Sequence, residues 1–284
     1  MARLIRPKNL LLILMLQCLV LMRLGDVNFL FYDIEKTLLL LLSTQFIAAA
    51  GYIINDYFDV KIDLVNKPEK VIIGSELSRR WAIILHISFT LSGLVCAYLV
   101  NFKTFGIALV CAILLYIYSA SLKKKFLAGN IAIGLLSALS VIICQAYIGM
   151  LDEMKLIAYS FFAAFTTLMR EVVKDLEDEK GDSLFQSNTL AINLGLRKTK
   201  RVLMGTALIL LISVIVYPFL ALQMIYEYDL FFITYAFVLI AGVVIPLLFF
   251  IKKLNRADRQ QDFAQLSRRL KVIMLIGILS ILFC

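Results

Sequence analysis

Long apolar runs recur along the whole 284-residue chain, and they limit what it can fold into more than any other feature. An apolar stretch of about 18 residues or more predicts a helix that crosses the hydrocarbon core of a bilayer. The chain is 62% hydrophobic and 17% charged, whereas soluble domains are about 45–50% apolar and about 25% charged. No polar stretch is long enough to form a separate soluble domain. We therefore expect one polytopic membrane domain over residues 1–284, in the all-α class.

Nine apolar segments predict nine transmembrane helices. The first is interpreted as a retained span and not as a signal peptide, because it is long and no small-residue cleavage site follows it. The predicted spans cover residues 10–25, 37–54, 81–100, 104–120, 128–150, 154–171, 202–222, 229–251 and 270–284.

The distribution of positive charge predicts the orientation of these spans. Of the 29 Lys and Arg residues, all but Arg23, Lys36, Lys103 and Lys155 fall at the N-terminus or in alternate loops. Positively charged loops stay in the cytoplasm, so we expect the N-terminus and these loops on that side of the cell inner membrane. The net charge of +9 is then a sign of topology, and we expect no nucleic-acid partner.

Cysteine and histidine give no sign of a disulfide framework or a zinc site. The one histidine, His86, lies within the third apolar segment and cannot form a histidine cluster. The cysteines lie in apolar runs without CxxC spacing, which favours simple packing. They are Cys18, Cys96, Cys111, Cys144 and Cys284.

Two acidic motifs with the same spacing follow the second and sixth predicted spans. Each contains three aspartates at positions i, i+3 and i+7, which fall within an arc of about 60° on a helix. Each triplet is therefore predicted to point one way, at the start of a long loop. The first triplet is Asp56, Asp59 and Asp63, and the second is Asp175, Asp178 and Asp182.

Carboxylates that share a helix face repel one another unless a cation lies between them. Oxygen ligands suit Mg²⁺, which is often held by carboxylates together with substrate phosphates. Two facing triplets could thus bind metal ions on both sides of a diphosphate and neutralise its charge as it leaves. Asn55 could add a neutral ligand or orient Asp56. Solvated acidic helix ends are the alternative, and the matched spacing of two motifs argues against it.

These motifs resemble those of the UbiA superfamily of intramembrane prenyltransferases. The matching segments are NDYFDVKID at 55–63, NKP at 66–68, YSASLKKK at 118–125 with Gly129-Asn130, DLEDEKGD at 175–182, and Thr189–Ala191 with Gly195. The resemblance implies nine helices around a central cavity, capped by cytoplasmic loop helices. Mg²⁺ and a prenyl diphosphate would bind under the cap, with the prenyl tail along an apolar wall.

The resemblance also implies roles for individual residues. Asn55 and the six aspartates would bind the metal, and Asp56, Asp59, Asp175 and Asp178 would be catalytic together with Lys123. Ordinary topological charge remains the alternative for each basic residue, and the spacing does not separate Lys123 from Lys124. The expected substrate-binding residues are Asn55, Lys67, Arg79, Tyr118, Lys124, Asn130, Arg170 and Lys174.

The second motif bears on the acceptor. Family members that prenylate hydroxybenzoate usually carry a Tyr-Ala pair where this chain has Leu176-Glu177. The stretch from Arg170 to Asp182 looks more like the members that make the second ether bond of isoprenoid glycerol lipids. We therefore expect transfer of a prenyl group, with geranylgeranyl as the expected one, to the glycerol hydroxyl of geranylgeranylglyceryl phosphate. Aromatic faces could stabilise the allylic cation, the candidates being Phe58, Tyr116, Tyr118 and Tyr147.

Three other functions are alternatives to this one. An aromatic acceptor of quinone biosynthesis is the nearest alternative. A divalent-cation transporter is disfavoured, because a transporter places polar groups near the bilayer midplane and these motifs lie at the ends of spans. A structural membrane scaffold has no use for two matched aspartate triplets.

Overall fold

A computed structural model describes residues 3–24, 33–66, 68–149, 151–185, 187–222 and 230–284. Over these ranges the chain is helical apart from short turns, and its only β pairing is an isolated bridge between Ile73 and Leu77. The expected all-α class is confirmed.

Eleven α-helices are found in the described ranges, with short 3-10 turns at Pro68–Lys70, Leu122–Lys124 and Ser280–Phe283. The helices are α1 Pro7–Arg23, α2 Ile34–Asn66, α3 Arg79–Val100, α4 Phe102–Ala120, α5 Ala128–Ile148, α6 Glu153–Glu177, α7 Glu179–Leu184, α8 Leu190–Leu222, α9 Leu230–Leu239, α10 Ile245–Arg256 and α11 Gln260–Leu279. The backbone of α8 is kinked at Gly195, and a π-helical turn at Ile240–Val244 joins α9 to α10.

Seven spans in the described part of the chain are long and apolar enough to cross a membrane, which confirms a multi-pass membrane protein. They lie in α2, α3, α4, α5, α6, α8 and the continuous α9–α10 segment. The first and last predicted spans correspond to α1 and α11, which are not among the seven. A count of nine spans stays a prediction.

The helices that carry the aspartate motifs lie at the centre of the bundle. Half of the most apolar window is buried inside the protein in both α2 and α6, against 17% in α3 and in α8. The outer helices instead expose large apolar side chains such as Leu91, Phe102 and Ile212, as expected of a surface that faces lipid.

The first aspartate motif lies within a helix and not in the loop that the sequence predicted from about residue 55. Helix α2 continues to Asn66, and Ile53, Ile54, Asp59 and Ile62 are buried within it. The helix ends shortly before Pro68, which has no backbone N–H to donate.

The prediction that the second triplet shares one helix face is wrong. Helix α6 ends at Glu177, Asp178 has φ −100° and ψ 8°, and Asp182 lies in the separate helix α7. The bend is held by Asn66, whose amide Nδ2 donates to the Asp178 carbonyl at 3.3 Å and whose Oδ1 accepts from the Gly181 backbone N–H at 3.0 Å.

Helices α2 and α3 cross closely at Gly93. A Cβ at that position would lie 2.7 Å from Ile47 Cγ1 and 3.0 Å from the Ser43 carbonyl oxygen. Small residues are what allow such close helix approach in membranes.

A larger side chain at Gly93 should therefore destabilise the bundle. We expect Gly93→Leu to lower the free energy of unfolding by about 1–3 kcal/mol, the usual cost of overpacking. The matched control is Gly106→Leu, since no atom lies within 4 Å of a Cβ there. Thermal unfolding in detergent measures both, and equal stability of the two variants would contradict the prediction.

Candidate functional site

A cavity of about 870 Å³ lies between α1, α2, α4, α5, α6 and α11. The residues of α2 that line it change from the uncharged Thr44 and Ile47 to the charged Asp59 and Asp63. Ile47 and Asp59 are twelve positions apart, which corresponds to about 18 Å along a helix. The cavity thus has a charged end and an apolar end. The apolar lining includes Leu12, Ile13, Leu115, Leu136 and Ile143.

Asp59 is the most tightly held carboxylate at the charged end. It is 3% exposed, and its Oδ2 accepts a hydrogen bond from Asn55 Nδ2 at 2.8 Å and forms an ion pair with Lys123 Nζ. Burial alone would lower the pKa of Lys123, but the nearby Asp59 charge raises it well above its usual value. Lys123 is therefore a fixed cation at this end of the cavity.

The close packing of the Leu122–Lys124 turn against α5 depends on Gly129. A Cβ on Gly129 would lie 2.9 Å from both the Leu122 carbonyl oxygen and the Lys123 Cα atom. A larger residue would push the Leu122–Lys124 turn away from α5. The neighbouring Lys124 is exposed, does not line the cavity, and accepts a backbone hydrogen bond from Asn188 at 2.8 Å. The structure thus favours Lys123 over Lys124.

Asp56 is paired with a residue that the sequence analysis missed. Arg6 Nη2 lies 2.5 Å from Asp56 Oδ1, and the guanidinium lies over the Tyr52 ring at 5.1 Å. Both partners line the cavity. In the sequence Arg6 was only one of many basic residues near the N-terminus, and no spacing linked it to the motif.

The second motif reaches the same end of the cavity from α6 and α7. Asp178 lines the cavity, whereas Asp175 and Asp182 are not among its lining residues. Asn130 Nδ2 donates to Asp175 Oδ2 at 2.8 Å. Burial raises the pKa of Asp182 to about 6, and the charges of Lys123 and Asp59 act on the same carboxyl group. Asp178 thus brings the second motif to the cavity that the first motif lines, and the convergence of both full triplets on one space stays a prediction.

The donor set at this end fits a hard cation. Carboxylate and amide oxygens from both motifs are the ligand types that Mg²⁺ takes in proteins. Within the described residues no three such side chains are already gathered around a single point. Arg6 and Lys123 supply the positive charge that Asp56 and Asp59 require. The assignment of the predicted metal ligands stays a prediction.

The other predicted substrate-binding residues differ in whether they line the cavity. Tyr118, Arg170 and Lys174 line the cavity. Arg79 does not, because its guanidinium lies 4.5 Å from the centre of the Tyr57 ring, outside the cavity. Lys67 lies outside the described residues.

Three of the four aromatic candidates lie away from the cavity. Phe58 and Tyr116 are exposed and contact each other with ring centres 6.1 Å apart. The Tyr147 hydroxyl donates to the Asp33 carbonyl at 3.1 Å, just before the opposite end of α2. Only Tyr118 of this set lines the cavity, so the expectation is corrected for the other three.

The sequence patterns did not predict several of the residues that line the cavity. Glu171 lies four residues before Asp175 on α6, a spacing that places both on one helix face and could have identified it. Asn9, Tyr52 and Lys271 come from α1, α2 and α11 and belong to no motif.

A multi-pass helical bundle with a cavity that is charged at one end and apolar at the other defines a membrane enzyme for amphiphilic substrates. The chain belongs to the UbiA prenyltransferase family, whose sequence model matches residues 10–272. The resemblance and the expected enzyme class are confirmed.

Relatives and solved structures agree with this assignment. A digeranylgeranylglyceryl phosphate synthase of Saccharolobus solfataricus is 32% identical over 256 residues, which cover 89% of this chain and 86% of that protein. One of Methanoregula boonei is 41% identical over 165 residues, covering 57% of this chain and 58% of that protein. The fold is similar to that of a UbiA homolog from Archaeoglobus fulgidus bound to DMAPP and Mg²⁺, with a TM-score of 0.68 at 20% identity over 98% of both chains.

The position of Lys123 predicts a large difference between two adjacent lysines. We expect Lys123→Met to lower the rate of prenyl transfer by about 100-fold or more, since a cation that lines the cavity and would stabilise developing negative charge is lost. Lys124→Met should stay within about twofold of wild type, as for other exposed charges. Transfer rates of the purified variants measure this, and similar rates for the two would contradict the assignment.

Proposed function

We propose that the chain transfers a geranylgeranyl group from geranylgeranyl diphosphate to the glycerol hydroxyl of geranylgeranylglyceryl phosphate. The observation that carries the proposal is a cavity whose charged end is lined by the first aspartate motif, Asp178 and Lys123, and whose other end is apolar. The names of the relatives from S. solfataricus and M. boonei support this product. In this proposal the N-terminus and the motif-bearing loops lie on the cytoplasmic side of the inner membrane.

The charged end suits the diphosphate of the donor. The related fold from A. fulgidus was solved with DMAPP and with GPP, in each case with Mg²⁺. In this chain Asn55, the three aspartates of the first motif and the three of the second would hold Mg²⁺. When bound, the metal supplies positive charge to the diphosphate oxygens.

The residues of the chain have three tasks in the reaction. Lys123 and Arg6 donate hydrogen bonds to the diphosphate, which departs with the electron pair of the broken C1–O bond. The apolar wall, with Leu115 and Ile143 among its residues, holds the tail and keeps water from the allylic carbon. The glycerol oxygen then bonds to C1, and its proton passes to the departed diphosphate. The Tyr118 ring, which lines the cavity, would stabilise positive charge at C1.

Product analysis tests the acceptor. Purified protein is incubated with radiolabelled geranylgeranyl diphosphate, Mg²⁺ and either geranylgeranylglyceryl phosphate or 4-hydroxybenzoate. We expect mass spectrometry to find the diether phosphate and no prenylated aromatic acid. Transfer to the aromatic acid alone would overturn the proposal in favour of quinone biosynthesis.

Removal of the metal or of one ligand should stop the reaction. We expect chelation by EDTA to abolish transfer and added Mg²⁺ to restore it. Asp56→Ala should lower the rate by about 1000-fold or more, because it removes a metal ligand and leaves Arg6 unpaired. The control is Glu179→Ala, an exposed carboxylate near the second motif that does not line the cavity. A near-normal rate for folded Asp56→Ala in Mg²⁺ would refute the metal assignment.

A further inference from the structure

A second group of cations lines the cavity on the side formed by α1, α6 and α11. This group, called here the basic wall, consists of Arg170, Lys174 and Lys271 with Asn9 and Glu171. Lys271 Nζ donates to Asn9 Oδ1 at 2.6 Å, and no carboxylate among the described residues forms an ion pair with it. The ammonium group thus keeps two of its three hydrogens for another acceptor.

The basic wall carries more positive charge than its carboxylate can balance. Arg170 and Lys174 share Glu171, at 3.2 and 3.0 Å. The Nε atom of Arg170 is buried and has no hydrogen-bond partner. Lys174 also acts on Asp175 and Asp182. Arg170 and Lys271 are therefore the members of the wall with hydrogen-bond donors to spare. Such donors at a partly buried site favour the binding of an anion.

We propose that Arg170 and Lys271, assisted by Asn9, bind the phosphomonoester head group of the acceptor lipid, apart from the donor diphosphate at Lys123. This inference rests on the proposed function and specifies how its acceptor is recognised. A phosphomonoester carries about −1.5 to −2 charges at pH 7, which matches the surplus of the basic wall. Arginine and lysine both form strong charge-assisted hydrogen bonds to phosphate oxygens.

The surroundings of the basic wall suit an acceptor better than a donor. The donor diphosphate needs several carboxylates to hold its metal, and the basic wall has only Glu171. Beyond Lys271, Met274 lies almost one turn further along α11 and lines the cavity beside Leu12 and Ile13. The same three residues line a smaller cavity of about 60 Å³ that continues to Phe162 and Ile278. An isoprenoid tail attached to a phosphate at Lys271 therefore has an apolar path to follow.

A binding experiment without donor or turnover tests the subsite. The dissociation constants of radiolabelled geranylgeranylglyceryl phosphate and of the unphosphorylated geranylgeranylglycerol are measured on the purified full chain in detergent. We expect the wild type to prefer the phosphorylated lipid, and Lys271→Met to reduce that preference by about tenfold or more, as for a lost hydrogen bond between charged groups. Lys271→Arg should retain most of it.

The matched control is Lys252→Met, which removes an exposed lysine that does not line the cavity. Its preference should equal that of wild type, and the preference is a ratio, so general loss of folded protein does not change it. An unchanged preference in Lys271→Met, or no preference in wild type, overturns the subsite even if the diether product forms. A Lys271-dependent preference in a protein that prenylates only aromatic acids would support the subsite and refute the proposed function.

Discussion

The buried carboxylate of Asp59 sets the main constraint on this bundle. An unpaired charge inside a membrane protein is costly, so it is kept only with partners that neutralise it. Asp59 is 3% exposed and has two partners, Asn55 from its own helix and Lys123 from the turn before α5. The central position of α2 therefore requires a particular path of the chain between α4 and α5.

That path, and the meeting of the two motifs, depend on short contacts between distant segments. Gly129 lets the Lys123 turn lie against α5 with no room for a Cβ atom. Asn66, at the end of α2, holds both the Asp178 carbonyl and the Gly181 N–H. A Cβ on Gly181 would lie 2.4 Å from the Asn66 amide atoms. Gly129 and Gly181 thus allow the Lys123 turn to pack against α5 and the end of α2 to pack against α7.

Local sequence patterns predicted the helical class, the family and the convergence of the two motifs. They failed for Asp178, because a spacing of three and four residues cannot reveal a bend that Asn66 imposes from 112 positions away. They also failed to separate Arg6, which pairs with Asp56, from Arg79, which lies on Tyr57. Both are basic residues beside a span, and only the packing of α1 against its neighbours distinguishes them.

The same limit explains why the sequence indicated the donor more clearly than the acceptor. The diphosphate chemistry needs several carboxylates on one or two elements, and such a set leaves a regular spacing. A phosphomonoester needs only a few cations, which three separate helices can supply singly. Arg170, Lys271 and Asn9 come from α6, α11 and α1 and share no spacing. Acceptor choice in this fold can therefore change through single substitutions on the basic wall while both aspartate motifs stay intact.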